Sequence, residues 1–388
     1  MRISFSATNP CHIYPMALEL AELGALGVYY SGYPEWKLPR RETLTVRTHS
    51  FRTTVVYGLL KYAPARLRPS SRSLFLWQDR GLDRWVGRHL EACDFIHGLP
   101  GQCVEIFRTA RRLGLQTVLN HATGPVRDLV QIMEPEYARV GLRLTDFCAY
   151  DEAYLAQEEE EYALSDWHCA ASSVVKEQLV ARGIDPRRVW QVPYGADQSI
   201  FHPGASERPA QFRAIFAGQL SLRKGVKSLL DALTLGGRPI WRVDFFGPDS
   251  GEVGADVKAY TGPTPLHFHG AVSQSTLAEA LRQASALVLP SWEEGFGLVV
   301  PQALSCGLPT VVSDRVGAKD LIQHRVNGSI FPAGDASALA AELAWWAENP
   351  RNLQEKYPWD TPARTLVAVS EVSKAPPDDP SALSTRHE

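Results

Sequence analysis

No stretch of this sequence stays apolar for the about 18 residues that a membrane-spanning helix needs. Residues 1–5 run straight into strand-like sequence, so no signal peptide is expected. Nor does one sign of charge dominate. A formal net charge of −3 and a sequence pI near 6.4 remove the global electrostatic reason to expect nucleic acid as a partner. The cysteines Cys11, Cys93, Cys103, Cys148, Cys169 and Cys306 form no Cys-x-x-Cys pair and no cluster with histidine. They read as reduced, mostly buried thiols of a cytoplasmic protein. No repeat of short period is present.

At 388 residues the chain is too long for one ordinary domain. With 45% hydrophobic and 21% charged residues it can bury two cores. Both halves alternate strand-like and helix-like segments, which predicts an α/β protein of two domains. Pro193, Gly195, Pro203 and Gly204 suit a linker. The expected division is an N-terminal domain over 1–204 and a C-terminal domain over 205–355. A Pro-, Asp- and Ser-rich tail over 374–388 reads as disordered.

The most informative stretch is 290–302, Pro-Ser-Trp-Glu-Glu-Gly-Phe-Gly-Leu-Val-Val-Pro-Gln. The apolar run 286–289 reads as a buried parallel strand, Gly295-Phe296-Gly297 as a turn, and Leu298 and Val299 as the entry to a helix over 299–306. Unpaired amides of a first helical turn, aided by the helix dipole, make a place for a phosphate without any lysine. Gly295 and Gly297 would let the backbone come close to it, and Glu294 at the lip would face whatever the phosphate carries. By itself such a turn is also that of an ordinary α/β protein.

This stretch resembles the signature of the retaining, nucleotide-sugar-dependent glycosyltransferases of family 4, which have two facing Rossmann-like domains across a cleft, the GT-B architecture. The resemblance covers nearly the whole chain, closely over 163–331 and loosely before residue 95. It implies an acceptor domain over 1–204, a nucleotide-sugar donor domain over 205–355 and a terminal helix over 356–373 that crosses back to the N-terminal domain. It also implies that Glu294 contacts the donor sugar. The family's second glutamate, which grips the ribose, is replaced by Gln302, which hydrogen-bonds without charge. The strand over 213–218 runs into Gly218, Gln219 and then Arg223-Lys224-Gly225. The resemblance makes Arg223 and Lys224 a cationic clamp on the diphosphate, although Gln219 stands where relatives often have another arginine. Two such cations offset the charge that grows on a departing phosphate. Isolated from the motif downstream, they are also consistent with a solvated basic turn.

In the N-terminal half, strands over 93–97 and 116–120 end near His97 and His121. A histidine there faces the crevice of a doubly wound sheet. The resemblance gives His121 a contact with the donor sugar near the reacting carbon, while His97 fits a crevice role or a structural one equally. His12, in the loop after the first strand, is a candidate for the acceptor side. That loop has no paired glycines of the kind relatives often carry. Residues 157–161, Gln-Glu-Glu-Glu-Glu, lie in a helical span over 134–162 and read as a solvated helix face rather than a metal site.

Residues 33–89 are rich in arginine and lysine, with Trp36, Tyr57, Tyr62, Phe75, Trp77 and Trp85 interleaved. Such a surface suits anionic headgroups and peripheral contact with the inner face of a membrane, and it equally suits a solvated face over a normal core.

The resemblance therefore implies an enzyme that moves a sugar from a nucleoside diphosphate sugar to a sugar, lipid-linked or small-molecule acceptor, with retention, in bacterial glycan, glycolipid or polysaccharide synthesis. No aspartate pair suited to a magnesium–diphosphate bridge stands outside Asp378-Asp379 in the tail, so neither an essential metal nor a cofactor is expected. An epimerase or phosphorylase on the same paired domains, or a binding protein that has lost catalysis, are the alternatives.

Overall fold

A computed structural model of the chain describes residues 1–64, 71–146, 152–204, 211–235 and 242–373. The expected domain junction at 204/205 and the tail over 374–388 border on or lie outside these residues.

Two parallel sheets organise the described residues. The first contains β1 (Ile3–Ala7), β2 (Leu26–Ser31), β3 (Val46–Thr48), β4 (Phe95–Gly98), β5 (Gln116–His121), β6 (Trp167–Ala170) and β7 (Val189–Gln191), in the order β3-β2-β1-β4-β5-β6-β7. The second contains β8 (Arg213–Ala217), β9 (Arg242–Phe246), β10 (Leu266–Gly270), β11 (Ala286–Leu289), β12 (Thr310–Ser313) and β13 (Gly328–Phe331), in the order β10-β9-β8-β11-β12-β13. Most of these strands are short apolar runs buried on both faces, as parallel sheets covered by helices require.

The first lobe's helices are α1 (Ile13–Glu22), α2 (Phe51–Tyr62), α3 (Ser71–His89), α4 (Val104–Arg112), α5 (Val126–Arg139), α6 (Glu152–Leu164) and α7 (Ser173–Ala181). Those after it are α8 (Val226–Leu235), α9 (Gly254–Ala259), α10 (Gln274–Arg282), α11 (Val299–Ser305), α12 (Ala336–Glu348) and α13 (Asp360–Val372). Strand order reverses between β1 and β4 in one sheet and between β8 and β11 in the other. Loops diverge at such a point and leave a crevice beyond the strands' carboxyl ends. The loop carrying Arg223 and Lys224 and the loop carrying Glu294 are the two that diverge in the second sheet.

The lobes are packed together. One apolar core runs from Phe5 and Trp190 through Tyr194 and Phe201 to Phe296 and Val300, with Trp359, Ala363 and Leu366 against it. Helix α13 thus returns to pack on α1, and the Nε1 of Trp190 donates to Ser373 Oγ at 3.2 Å. In the other direction, Met133 and Tyr137 of α5 join the core that holds Leu220, Leu222 and Val253.

Two expectations fail. The helical span over 134–162 is two helices, α5 with Pro135 inside it and α6, on either side of residues 147–151, which lie outside the described ones. The acidic run is not a solvated face, because Glu158 and Glu161 are buried. Glu158 accepts from the Val126 amide at the start of α5 (3.2 Å), and Glu161 accepts from the amides of Gly101 (2.6 Å) and Cys103 (3.0 Å). These carboxylates satisfy orphan donors near the starts of two helices, which a local charge pattern does not reveal.

Candidate active site

The loop after β8 and the loop after β11 interlock. The Trp292 amide donates to the Arg223 carbonyl at 2.9 Å. Gly225 has φ +74°, and a Cβ there would stand 1.9 Å from the Pro290 carbonyl oxygen, so glycine after Arg223-Lys224 is what lets the loops meet. Across this seam Arg223 Nη1 lies 2.9 Å from Glu293 Oε2, and Lys224 Nζ is ion-paired with Glu294. The two cations expected to clamp a diphosphate are therefore each paired with one of two consecutive carboxylates. Burial and the neighbouring Arg223 guanidinium pull the Lys224 ammonium down to about 7, with Glu293 acting in the opposite direction. The loop before Arg223 is held from the other lobe as well: Tyr137 Oη donates to Glu252 Oε2 at 2.7 Å, and the same oxygen accepts from the Leu222 amide at 2.9 Å.

Gly295 stands where the two lobes meet. A Cβ on it would stand 2.2 Å from the Ala122 carbonyl oxygen and 2.4 Å from Thr123 Cα, so its bareness admits the first lobe. Ser172 Oγ donates to the Gly295 carbonyl at 2.7 Å, and Asp320 accepts from the Ser173 amide (2.7 Å), Ser173 Oγ (2.5 Å) and Gln191 Nε2 (3.0 Å). Phe296 is buried edge-on to Tyr194, with ring centroids 5.0 Å apart. Gly297 has φ +94° and carries the chain into α11, where the Val300 amide donates to the Gly297 carbonyl at 2.9 Å. Gly218 donates its amide to the Phe246 carbonyl (2.9 Å), and Gln219 beside it is exposed.

A cavity of about 780 Å³ lies between the lobes. Leu298 and Gln302 reach it from the second lobe and His12 from the first, with Asp197 and Trp359 from the segments that join them. Half-buried Val299 opens α11 beside it. The His12 ring stacks on Tyr194 at 4.6 Å, and burial pulls its imidazole down to about 4.

His97 and His121 do not stand in the crevice. His97 is fully buried between Phe5 and Trp190, its Nδ1 2.9 Å from the Asn120 amide nitrogen, and burial lowers it to about 3 against the pull of Asn120. His121 points under α6, its Nε2 3.0 Å from His168 Nδ1 and its ring against Tyr162. Burial, with His168 adding to it, keeps it well below the ordinary imidazole range. What reaches the second lobe from this strand end is the backbone of Ala122 and Thr123. Sequence reasoning passed over Glu293, Tyr137, Glu252, Ser172 and Asp320, since each acts on a residue distant along the chain. Only Glu293, beside Glu294, had a local signal.

Residues 198–358 match the sequence model of the family described as glycosyl transferases group 1. The lipopolysaccharide 1,6-galactosyltransferase of Salmonella typhimurium is 30% identical over 192 residues, 46% of this chain and 52% of that protein. The D-inositol 3-phosphate glycosyltransferase 1 of Catenulispora acidiphila is 29% identical over 225 residues, 52% of this chain and 53% of its own. The chain thus spans about half the length of the curated relatives it matches. Among solved structures, sucrose-phosphate synthase from Thermosynechococcus elongatus superposes with a TM-score of 0.67 at 17% identity, over 96% of this chain and 98% of that one. Anabaena HepE in complex with UDP-glucose superposes with a TM-score of 0.61 at 16% identity, over 96% and 94%. The chain has the paired Rossmann-like architecture of the GT-B fold, and its second lobe carries the glycosyl transferases group 1 match.

Proposed function

We propose that this protein is a retaining glycosyltransferase that moves a sugar from a nucleoside diphosphate sugar to an acceptor hydroxyl. The observation that carries the proposal is the convergence of Arg223, Lys224 and Glu294 at the second sheet's switch point, within the segment that matches the family model. In the reaction the bond from the anomeric carbon to the diphosphate oxygen breaks and the acceptor oxygen bonds to the same face of that carbon. The acceptor's proton leaves with the departing phosphate. The transition state carries positive charge on the sugar and negative charge on the phosphate. Arg223 and Lys224 stabilise the latter. Glu294, once Lys224 turns to the phosphate, accepts hydrogen bonds from the sugar hydroxyls. Gln302 and Leu298 offer the nucleoside one wall of the cavity, and His12 lines the facing wall.

A donor of this kind agrees with the UDP-glucose bound by HepE, and glycan or glycolipid synthesis with the lipopolysaccharide galactosyltransferase relative. The two cations fill the place of a metal, so chelation with EDTA leaves the rate unchanged. His121 acts on the site through the backbone that follows it rather than by touching the sugar. The test is a panel of nucleotide sugars scored for transfer and slow hydrolysis, with Arg223→Ala as control. Turnover of one donor, lost in the variant, supports the reading. Donor binding without turnover makes this a binding protein, a reading that Gln302 and Gln219 favour. Conversion of the donor with no acceptor present makes it an epimerase.

The acceptor is proposed to lie at a membrane surface. Trp36, Phe51 and Tyr62 are largely exposed, and Arg52, Trp77, Arg80 and Arg84 line a groove of about 460 Å³ on α2 and α3. Arg40 and Arg47 of the same stretch pair with Glu22 and Glu91, Arg66 and Arg68 lie outside the described residues, and nothing is described of the Arg72 side chain. Among the described residues no helix is long and apolar enough to cross a membrane. Co-sedimentation with phosphatidylglycerol vesicles, lost in the Arg80→Glu, Arg84→Glu double variant, checks the contact.

A further inference from the structure

We propose that Glu293 is a positioning residue that aims Arg223 at the donor diphosphate while cancelling part of its charge, so that the diphosphate product is held loosely enough to leave. The inference rests on the diphosphate reading above. Glu293 Oε2 is 2.9 Å from Arg223 Nη1, whose N–H also lies 3.4 Å from the Glu293 carbonyl oxygen. The Glu293 side chain is 5% exposed and that of Arg223 is 26% exposed. The carboxylate is therefore behind the guanidinium, away from solvent, while the guanidinium keeps an open side. A buried carboxylate does not readily give up its partner, so the pair persists when a ligand arrives. Glu293 also acts on Lys224, favouring its charged form. With Glu294 on Lys224, the two loops bring two carboxylates to two cations, which reduces the pull of the site on an anion. Fixed aim with reduced attraction lowers binding of the ground state and product more than it lowers binding of a transition state whose phosphate charge is growing.

Glu293→Gln keeps the shape and removes the charge. Titration calorimetry with UDP, GDP, TDP and ADP, together with steady-state kinetics on the accepted donor, reads the outcome. The expected result is a diphosphate Kd about tenfold lower, a lower donor KM and a kcat reduced several-fold. Glu293→Asp, which restores the charge, should return both toward wild type. A merely structural role would weaken binding and turnover together. That result, or no change in either, overturns the proposal while the diphosphate reading stands, provided that Arg223→Ala still weakens diphosphate binding. If the wild type binds none of the four diphosphates and Arg223→Ala changes nothing, both fall. If Glu293→Gln fails to fold, a Glu293→Asp variant with wild-type melting that binds the diphosphate with unaltered Kd and kcat supports the charge role, and one that loses both overturns it.

Discussion

The two lobes present similar strand ends to the same crevice and furnish them in opposite ways. In the second lobe the loops after β8 and β11 hold charged groups that remain partly accessible, with Lys224 14% and Glu294 12% exposed. In the first lobe the residues at the strand ends, His97 and His121, turn into the sheet's two faces and are sealed there as neutral rings. Ionisable side chains at the carboxyl ends of parallel strands are thus not equivalent. Burial lowers both kinds of group, but at Lys224 the carboxylate of Glu293 from a neighbouring loop opposes it, while at His97 and His121 burial leaves the ring neutral. The first lobe contributes backbone, Ala122 and Thr123, and the second contributes charge.

The sharpest way to break this comparison is to remove the charge. Lys224→Ala should lower turnover by about 10²- to 10³-fold with a nearly unchanged melting temperature; comparable loss from His121→Asn, with donor binding measured alongside, would erase the distinction between the lobes. Acid should strike the first lobe. His97 and His168 have folded-state values of about 3, below the ordinary 6.5, and His121 is shifted the same way, so the unfolded chain binds more protons below pH 6.5. Their stabilising contribution is complete above pH 6.5 and is lost as pH falls toward the folded values, by up to about 1.4 kcal/mol per histidine per unit. Hydrogen exchange at pH 7 and pH 5 should show β4, β5 and β6 losing protection.

Alkali should act on the second lobe's site. With Lys224 near 7, the free site loses its proton as pH rises past that value, so diphosphate affinity should fall by up to about tenfold per unit above it. Lys224→Arg, which stays protonated, should flatten the profile in calorimetric titrations. The smallest effect concerns the link between lobes. Tyr137→Phe removes the hydrogen bond to Glu252, worth about 1 kcal/mol, and should lower kcat/KM about fivefold without changing the donor selected.

Much of the second lobe was legible because its information is local. Strand, glycine turn and helix start follow one another within 286–305, and Arg223-Lys224-Gly225 lies in the loop between β8 and α8. The first lobe was read less well. A histidine at the end of β5 looks the same in sequence whether its ring turns to the crevice or under α6, since strand periodicity gives the alternation of faces but not which face is sealed. The acidic run of α6 misled for a related reason: Glu161 serves the amides of Gly101 and Cys103, about 60 residues earlier, and no local pattern announces such partners.

Composition and periodicity alone determined that this chain folds as two α/β lobes, and two short segments, 223–225 and 290–302, located the charged loops, because hydrophobic alternation and glycine turns act over a few residues. The pairing of Arg223 with Glu293 and of Lys224 with Glu294 was decided only in three dimensions. So were the fit of Gly295 against the other lobe and the sealing of the histidines. Each depends on which distant group ends up within about 3 Å, and that is set by how the sheets stack and the lobes meet.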